Sequence, residues 1–277
     1  MLNWIESPKS PKVCQYIECY WLIEKDAQSD SYQHPKLNPD PCAHLIISPE
    51  NQSYLYQIDA IDHKGIGCHW LFPHQYTFQL DHSEPFIHLG VKFRVGAIYS
   101  LELENCPHTM IDAVKDVCLS TLLNDIGVSG DELTQLGRSD PSLCRDKLDR
   151  LFSIWLSNCK EDQHSKLTRK SLLLLDIMPI SDIGNKLGCS QRTLERSFTR
   201  VVGLTLKQCQ SMNKLEAILE YLYQRETIDI DWAEVAIQFG FSDQPHLIRQ
   251  LKKQIGVTPQ NYAKNRGLTI DVYGGVN

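Results

Sequence analysis

Arginine recurs at every fourth position along one stretch in the last third of the chain, at Arg192, Arg196 and Arg200. Side chains four residues apart share one face of a helix, so these guanidinium groups would form a single ridge. A guanidinium can bind the two acceptors of a guanine edge together, and a glutamine amide can bind adenine in the same way. Gln191 directly precedes the ridge. The stretch therefore predicts a helix that reads base edges in a major groove.

A second stretch, about fifty residues later, carries residues of the same kinds. Lys252 and Lys253 stand at its end, where lysines suit phosphate contacts. For either stretch alone, the alternative to DNA reading is that these are ordinary charged residues on the solvent-exposed face of a helix. The predicted contacts are Ser190, Gln191, Arg192, Thr193, Arg196, Arg200 and Lys207 in the first stretch, and Gln244, His246, Arg249, Lys252 and Lys253 in the second.

The elements that position these side chains occur twice. Residues 180–203 read like residues 232–256, and Gly188 matches Gly240 while Gly203 matches Gly256. Each copy predicts a short helix, a tight glycine turn that needs a positive φ, and a second helix. Two copies that resemble each other make a chance match to the helix-turn-helix pattern improbable.

A long helix over residues 204–226 is predicted to join the two copies, because its apolar residues form one stripe. Asp231, followed three residues later by Glu234, has the form of a helix-capping box at the start of the second copy. Two helix-turn-helix units on one rigid connection could enter two successive major grooves, about 34 Å apart.

Three motifs stand out in this region: Ser190-Gln-Arg-Thr-Leu-Glu-Arg-Ser-Phe198, Gly240-Phe-Ser-Asp-Gln-Pro-His-Leu-Ile-Arg249 and Gly256-Val-Thr-Pro-Gln-Asn-Tyr262. They resemble the AraC/XylS transcriptional regulators, and the resemblance covers about residues 166–264. It implies a bacterial, sequence-specific DNA-binding regulator that is not an enzyme, with double-stranded DNA as partner and RNA polymerase as a further partner if it activates.

The sequence departs from that family pattern at several positions. Leu247 and Leu251 replace phenylalanine, which keeps the core apolar. Ile248 replaces a small polar residue and puts an apolar side chain near the DNA-facing side. Ile248 is the one feature that supports a second hypothesis, a ligand- or protein-binding module with a degenerate DNA-binding domain.

Composition predicts two domains of opposite charge within the 277 residues. From Ser165 onward there are 15 Lys and Arg against 11 Asp and Glu, whereas the preceding part has 13 against 23. A mildly basic domain joined to an acidic one is compatible with DNA binding. Neither a membrane-spanning run nor an export signal stands out, so we expect a cytoplasmic protein.

Cysteine and histidine usage gives little support for metal or redox chemistry. The ten cysteines are scattered without a Cys-x-x-Cys pair, which favours buried reduced thiols over disulfides, with a redox-sensing cysteine as the alternative. The histidines lack metal-ligand spacing. An alkyl-transfer repair enzyme would need a zinc-binding cysteine cluster or a Pro-Cys-His nucleophile, which the sequence lacks. We predict no enzyme, no metal and no cofactor.

Residues 1–158 are predicted to form a sensing or dimerisation domain, with strands over about 14–95 and helices over about 96–157. Short strand-like runs between turn clusters are typical of a sandwich or barrel. The segments Pro39-Asp-Pro-Cys-Ala-His-Leu-Ile-Ile47 and Leu89-Gly-Val-Lys-Phe-Arg-Val-Gly-Ala97 resemble the β-rich N-terminal domain of some AraC-type regulators. This resemblance implies a cupin-like barrel that senses a small molecule or forms a homodimer.

Five residues of this domain are candidates for contacting an effector. An apolar pocket could be lined by aromatic residues, and Arg94 could bind a carboxylate. Core packing and an internal ion pair are the alternatives. The aromatic candidates are Tyr20, Trp21, Trp70 and Phe72. Leu148, Leu151, Phe152 and Trp155 form a helical stripe that fits either a core or a dimer contact.

The predicted fold class is α+β, with an all-α C-terminal domain after the β-rich one. A linker over residues 159–165 precedes the DNA-binding domain at 166–264. The helix-turn-helix units lie at about 180–202 and 232–255, and a tail covers 265–277.

Overall fold

The computed structural model describes residues 2–28, 33–58, 61–101, 103, 110–223, 230–256 and 258–264. The strands in these ranges are β1 (Leu2–Glu6), β2 (Ile17–Lys25), β3 (Lys36–Leu37), β4 (His44–Ile47), β5 (Ser53–Ile58), β6 (Ile61–Ile66), β7 (His69–Leu71), β8 (Phe78–Leu80), β9 (Phe86–Phe93) and β10 (Val114–Asp116).

Helices dominate the rest of the chain. They are α1 (Pro11–Cys14), α2 (Leu119–Leu123), α3 (Gly130–Ser139), α4 (Pro141–Trp155), α5 (Gln163–Leu172), α6 (Ile180–Lys186), α7 (Gln191–Val202), α8 (Leu206–Tyr223), α9 (Trp232–Gln238), α10 (Gln244–Ile255) and α11 (Pro259–Lys264). The predicted fold class, a β-rich N-terminal domain followed by a helical one, is confirmed.

The strands form two sheets with antiparallel pairing. One sheet has the order β1-β2-β9-β4-β7-β10, and the other has the order β3-β8-β5-β6. The long central strands β2 and β9 pair over their whole lengths, from Ile17 opposite Phe93 to Lys25 opposite Phe86. The two sheets share a core, which makes the domain a two-layer β-structure of the predicted sandwich or barrel kind.

β2 is buried on both faces, which explains why its sequence is a nearly continuous apolar run. Successive side chains of a strand point to opposite faces. Tyr20 and Leu22 therefore enter a core shared with the helices. Trp21 and Ile23 enter the core between the two sheets.

Helices α3 and α4 cover the outer face of the six-stranded sheet. Leu148 and Phe152 of α4 are fully buried in the core that the sheet shares with these helices, and Leu151 and Trp155 pack against that core. The helical stripe seen in the sequence is therefore a core contact within the domain rather than a dimer contact.

The region predicted to be helical from about residue 96 onward instead contains a strand. β10 pairs with β7, with Val114 opposite Leu71, and so extends the six-stranded sheet. Ile111, Val114 and Val117 fit a helical spacing, but the open edge of β7 offers backbone hydrogen bonds that the local pattern does not reveal. Residues 104–109 lie outside the described part of the chain.

The connection between the two domains is shorter than the predicted linker at 159–165. Helix α5 already begins at Gln163, three residues before the predicted start of the DNA-binding domain. Its N-cap is Asp162, whose carboxylate accepts hydrogen bonds from the backbone N–H groups of His164 and Ser165, each at 2.8 Å. This cap satisfies N–H groups that the first turn of a helix would leave unpaired.

The C-terminal region contains the same helix-turn-helix arrangement twice. α6 and α7 form the first unit, and α9 and α10 form the second. Gly188 and Gly240 lie in the turns with φ of 71° and 65°, as the sequence predicts for these positions. Gly184 approaches the backbone of the turn so closely that a Cβ there would lie 3.0 Å from the carbonyl oxygen of Cys189.

Each unit has a core of its own on helix α8, which joins them. Leu194, Phe198 and Met212 lie in the first of these cores. Leu219, Leu247 and Leu251 lie in the second. Within the described ranges, no helix is both long enough and apolar enough to cross a membrane. The predicted tail at 265–277 lies outside these ranges.

Candidate nucleic-acid interface

The first recognition helix, α7, begins at a well-formed cap. Ser190 is its N-cap, and the hydroxyl of Ser190 accepts a hydrogen bond from the backbone N–H of Thr193 at 3.2 Å. The hydroxyls of the two residues also lie 2.8 Å apart. Ser190 and Thr193, both predicted DNA contacts, therefore fix the start of the helix that carries the arginine ridge.

The arginine ridge lies on the outer face of α7. Leu194 and Phe198 bury the opposite face, so Arg192, Arg196 and Arg200 are exposed. Together with Lys207 at the start of α8, these arginines line an open groove of about 980 Å³. The structure thus brings four of the predicted contacts together, and a groove lined by four cations would attract a phosphate backbone.

Gln191 is held inside its own helix. Its Nε2 donates a hydrogen bond to Oε1 of Glu195 at 2.9 Å. Its Oε1 is buried and has no hydrogen-bond partner in the described part of the chain. In this arrangement the amide of Gln191 is not directed at a base. Sequence reasoning passed over Glu195, although Glu195 lies three residues after Arg192 on the same helix.

The second recognition helix, α10, repeats the arrangement. Asp243 caps it by accepting from the backbone N–H of His246 at 2.6 Å. The predicted contacts Gln244, His246, Arg249, Lys252 and Lys253 are all exposed. His246 also lies against the ring of Phe241 and within 3.1 Å of the hydroxyl of Ser242, which orients its imidazole.

Five exposed cations of the two helices form no ion pair with any residue that the structure describes. Among the ion pairs formed within the described ranges, none includes Arg192, Arg196, Arg249, Lys252 or Lys253. Exposed cations without an ion-pair partner, placed on two equivalent helix faces, are suited to contact phosphates and guanine edges.

The N-terminal domain contacts both recognition helices. Arg200 Nε donates to the hydroxyl of Tyr99 at 3.0 Å, and this hydroxyl donates to the carboxylate of Asp162 at 2.9 Å. At the other unit, Lys36 Nζ donates to the carbonyl oxygen of Ile255 at 3.3 Å, and Thr77 Oγ1 donates to that of Gln254. Sequence reasoning missed these contacts, because no local pattern marks partners so distant along the chain.

A buried lysine joins the N-terminal domain to the helix between the two units. Lys92 of β9 lies 3.2 Å from the carboxylate of Glu18 and 3.6 Å from that of Glu216 on α8. Burial alone would lower the pKa of Lys92, but nearby acidic groups, Asp40 most strongly, hold it above its usual value. Lys92 is therefore a charged link between the domains.

The predicted effector residues separate into two groups. Tyr20, Trp21, Trp70 and Phe72 are at most 2% exposed and belong to the two cores of the β-domain. Arg94 lines a cavity of about 410 Å³ between the domains, together with Lys92, Arg169 and Glu216. Its Nε donates to the carbonyl oxygen of Cys14 at 2.7 Å. Of the five candidates, Arg94 alone lines this cavity.

The described histidines and cysteines give little support for metal or thiol chemistry. Within the described ranges, no group of three or more His, Cys, Asp or Glu side chains is arranged to hold a metal ion. The described cysteines are free thiols. Burial raises the pKa of Cys19, Cys144 and Cys209, each to about 12, which disfavours the reactive thiolate at these positions.

Two family models match separate parts of the chain, one in the β-rich region and one in the helical region. Residues 183–265 match the family model described as a helix-turn-helix domain. Residues 6–106 match a domain of unknown function, DUF6597. The helix-turn-helix match covers both units with α8 between them.

A curated relative is the transposon Tn10 TetD protein of Escherichia coli. It is 32% identical over 95 residues, which are 34% of this chain and 62% of that protein. This chain therefore spans less than two thirds of the length of the relative.

Solved structures with similar chains include ToxT of Vibrio cholerae. Wild-type ToxT with a bound unsaturated fatty acid matches with 14% identity and a TM-score of 0.43, over 88% of this chain and 93% of ToxT. A ligand-free ToxT variant matches with 12% identity and a TM-score of 0.48, over 94% and 99%. The C-terminal domain of AraT from Geobacillus stearothermophilus matches with 19% identity and a TM-score of 0.34, over 39% and 91%.

Proposed function

We propose that this protein, whose residues 183–265 match a helix-turn-helix domain, is a sequence-specific transcription regulator of the AraC/XylS type that binds two successive major grooves. The observation that carries the proposal is the pair of equivalent recognition helices, whose exposed cations form no ion pair with the described part of the chain. Such a regulator works beside the chromosome in the cytoplasm, and as an activator it would also contact RNA polymerase.

Within this proposal the exposed residues divide into base readers and phosphate contacts. Arg192 and Arg196 read bases from the N-terminal half of α7, the part of a recognition helix that contacts base edges. The phosphate contacts lie in the last turns of α7 and α10 and at the start of α8. The readers on α10 are Gln244, His246 and Arg249, and the phosphate contacts are Arg200, Lys207, Lys252 and Lys253.

Selection of bound sequences from a random DNA pool tests this function. We expect the native protein to enrich two boxes about one helical turn apart, because the two units share one helix. The variant Arg196→Ala/Arg249→Ala loses one guanine-reading side chain in each unit and should fail to enrich either box.

The matched control is Lys64→Ala/Arg150→Ala, which removes two exposed cations of the N-terminal domain. The control and the test variant have the same net charge. If selection depends on base reading and not on total charge, the control should enrich the native motif. Failure of the native protein to enrich any motif at low salt would contradict the proposed function.

Control of DNA binding by a small molecule is the second part of the proposal. The cavity between the domains is bordered by Arg94 and by the link between Lys92 and Glu216. A carboxylate ligand could pair with the guanidinium of Arg94. Binding of this ligand would alter the contact between the N-terminal domain and α8, the helix that joins the two helix-turn-helix units.

A thermal-shift screen of small carboxylic acids tests this control. A ligand that binds only the folded state raises the melting temperature. We expect stabilisation of the native protein and its loss in Arg94→Ala, with Arg138→Ala as a control at a distant arginine. A ligand that stabilises the native protein and Arg94→Ala equally would place the effector elsewhere.

A homodimer formed through α4 is the third part of the proposal. Leu143 and Ile154 lie on the outer face of this helix and are 49% and 70% exposed. They stand eleven residues apart, which is about three helical turns, so they lie on the same face of α4, with Lys147 and Arg150 between them. Sedimentation should show a dimer for the native protein and a monomer for Leu143→Glu/Ile154→Glu. An unchanged sedimentation coefficient would contradict this interface.

A further inference from the structure

Glu195 and Ile248 occupy equivalent places in the two recognition helices. Each directly precedes the arginine that the two units share, Arg196 in α7 and Arg249 in α10. Glu195 is exposed and Ile248 is partly exposed, on the same side of their helices. If the arginines enter the major grooves, these two side chains enter with them, and they are chemically unlike.

The carboxylate of Glu195 is held in place. Gln191, one turn earlier, donates a hydrogen bond from Nε2 to Glu195 Oε1 at 2.9 Å. The other polar atom of the Gln191 amide is buried, so the amide is fixed with its donor towards Glu195. Among the ion pairs of the described ranges, none involves Glu195, although Arg192 and Arg196 are its neighbours on α7. Gln191 therefore acts as a positioning residue for a carboxylate that keeps acceptor capacity.

A carboxylate at this place selects among the bases by its charge. It accepts hydrogen bonds and cannot donate them, so it is repelled by the O6 and N7 acceptors of guanine and by O4 of thymine. Adenine offers a donor but places the N7 acceptor beside it. Cytosine presents its N4 amino group as a donor without an adjacent acceptor in the groove, and it is the base that the carboxylate fits best.

An isoleucine at the equivalent place selects by shape. Ile248 has no polar atom in its side chain to pair with a base edge, and a cytosine amino group opposite it would lose its hydrogen bond to water. The C5-methyl group of thymine is the apolar feature that the major groove offers. Ile248 therefore suits thymine, where Glu195 suits cytosine.

We propose that Glu195 selects cytosine in the half-site read by α7, that Ile248 selects thymine in the half-site read by α10, and that Gln191 positions Glu195. This inference rests on the proposed DNA-binding function. It assigns to Ile248 a part in base reading, whereas the sequence alone offered that residue as a sign of degeneration.

Sequence selection from a random DNA pool tests the inference with the native protein and the single variants E195I, I248E, E195A and Q191A. In E195I the cytosine of the first box should change to thymine, and in I248E the thymine of the second box should change to cytosine. E195A should lose the preference at that position without gaining another. The native preference at each position should amount to roughly 5- to 100-fold over the wrong base. Circular dichroism melting shows that each variant is folded.

Q191A separates positioning from base reading. It removes the donor to Glu195 and leaves the carboxylate in the helix, so the preference for cytosine should weaken by several-fold while the rest of the motif stays as in the native protein. A native motif that E195I, E195A and I248E leave unchanged at every position would overturn this inference alone. Absence of any motif for the native protein would overturn the proposed function and this inference with it.

Discussion

Lysine and arginine at the DNA-facing surface have different expected roles, and Lys252 provides a test at the residue scale. It is exposed in the last turn of α10, where its flexible ammonium group suits a phosphate rather than a base edge. We predict that Lys252→Ala weakens binding to all sequences by a similar factor and lowers the slope of log K against log salt by about one.

Titration of binding against salt concentration, on the selected sequence and on an unrelated one, measures both effects. Lys64→Ala, which changes an exposed lysine of β6, should leave the slope as it is. A changed sequence preference in Lys252→Ala would show that Lys252 reads a base.

Two buried histidines of the N-terminal domain predict how stability depends on pH. His69 and His82 are fully buried, and burial lowers the pKa of each to about 4. In the unfolded chain they take up a proton below about pH 6.5, whereas in the folded domain they stay neutral until about pH 4. The unfolded state binds more protons between these values, so stability falls as the pH drops from 6.5 towards 4. Each histidine accounts for up to about 3 kcal/mol of this loss.

Urea unfolding at pH 7.0 and pH 5.0 measures the loss. We expect His69→Gln to show a smaller difference between the two pH values than the native protein. His34→Gln changes an exposed histidine and should keep the native difference. Equal stability of the native protein at both pH values would contradict the prediction.

At the residue scale, sequence patterns could predict which side chains face outward but not how these side chains bond to one another. The spacing of Arg192 and Arg196 indicated an exposed ridge, and the structure exposes both. The hydrogen bond from Gln191 to Glu195 depends on the rotamers of two flexible side chains. The bond from Arg200 to Tyr99 depends on a domain contact. Neither has a signature in composition or spacing.

At the element scale, the turn at Gly188 predicts the effect of a single methyl group. Gly188 has a φ of 71°, and a Cβ added there meets no atom within 4 Å. Gly188→Ala therefore introduces no clash, and its cost is that of the left-handed backbone, about 1–2 kcal/mol. Thermal unfolding should show this loss for Gly188→Ala.

Two substitutions provide the comparison. Gly188→Asn should lose less stability, because asparagine tolerates the left-handed region better than alanine does. Gly127→Ala should have little effect, since no left-handed φ constrains that glycine. Equal melting temperatures for Gly188→Ala and the native protein would contradict the account of this turn.

Elements that repeat or alternate were the ones that the sequence could predict. The matching glycines and apolar stripes of the two units located α6, α7, α9 and α10, because helix spacing and turn chemistry are local properties. β10 was wrongly predicted as helix, because its pairing with β7 is decided by a strand more than forty residues earlier. The short strand β3 also depends on a distant partner, because Lys36 and Leu37 pair with residues of β8 about forty positions later.

At the scale of the whole molecule, the contacts of β3 and Thr77 with the end of α10 lead to a prediction about dynamics. Lys36 and Thr77 donate to carbonyl oxygens of Ile255 and Gln254 that the end of a helix leaves without internal partners. Lys36→Met/Thr77→Val keeps the side-chain volumes but removes both donors. We predict faster amide exchange in the last turn of α10, about fivefold for each bond if a bond contributes about 1 kcal/mol.

Hydrogen exchange followed by mass spectrometry measures this change, and the first recognition helix serves as an internal control. α7 does not contact Lys36 or Thr77 through any hydrogen bond in the described ranges, so its exchange should stay as it is in the native protein. Unchanged exchange in both helices would mean that the N-terminal domain does not stabilise the second unit.

The division into domains could be predicted from charge, whereas their contact could not. The excess of acidic residues before Ser165 and of basic residues after it indicated two units with different tasks. The link from Lys92 to Glu216 joins residues of opposite halves of the chain, so it depends on the completed fold. Lys92 lies within a strand whose residues are all buried, which only the structure reveals.

The hydrogen bond from Lys36 to Ile255 spans 219 positions of the chain, and this separation has a consequence for biosynthesis. A ribosome releases the β-sheets well before it has made α10, and domains generally fold as units during synthesis. The second helix-turn-helix unit then folds against a β-domain that has already formed. This domain supplies the hydrogen-bond donors for the last turn of α10. Residues made early in synthesis thus stabilise a helix made late. In a C-terminal fragment made alone, water would have to donate the hydrogen bonds to the last turn of α10.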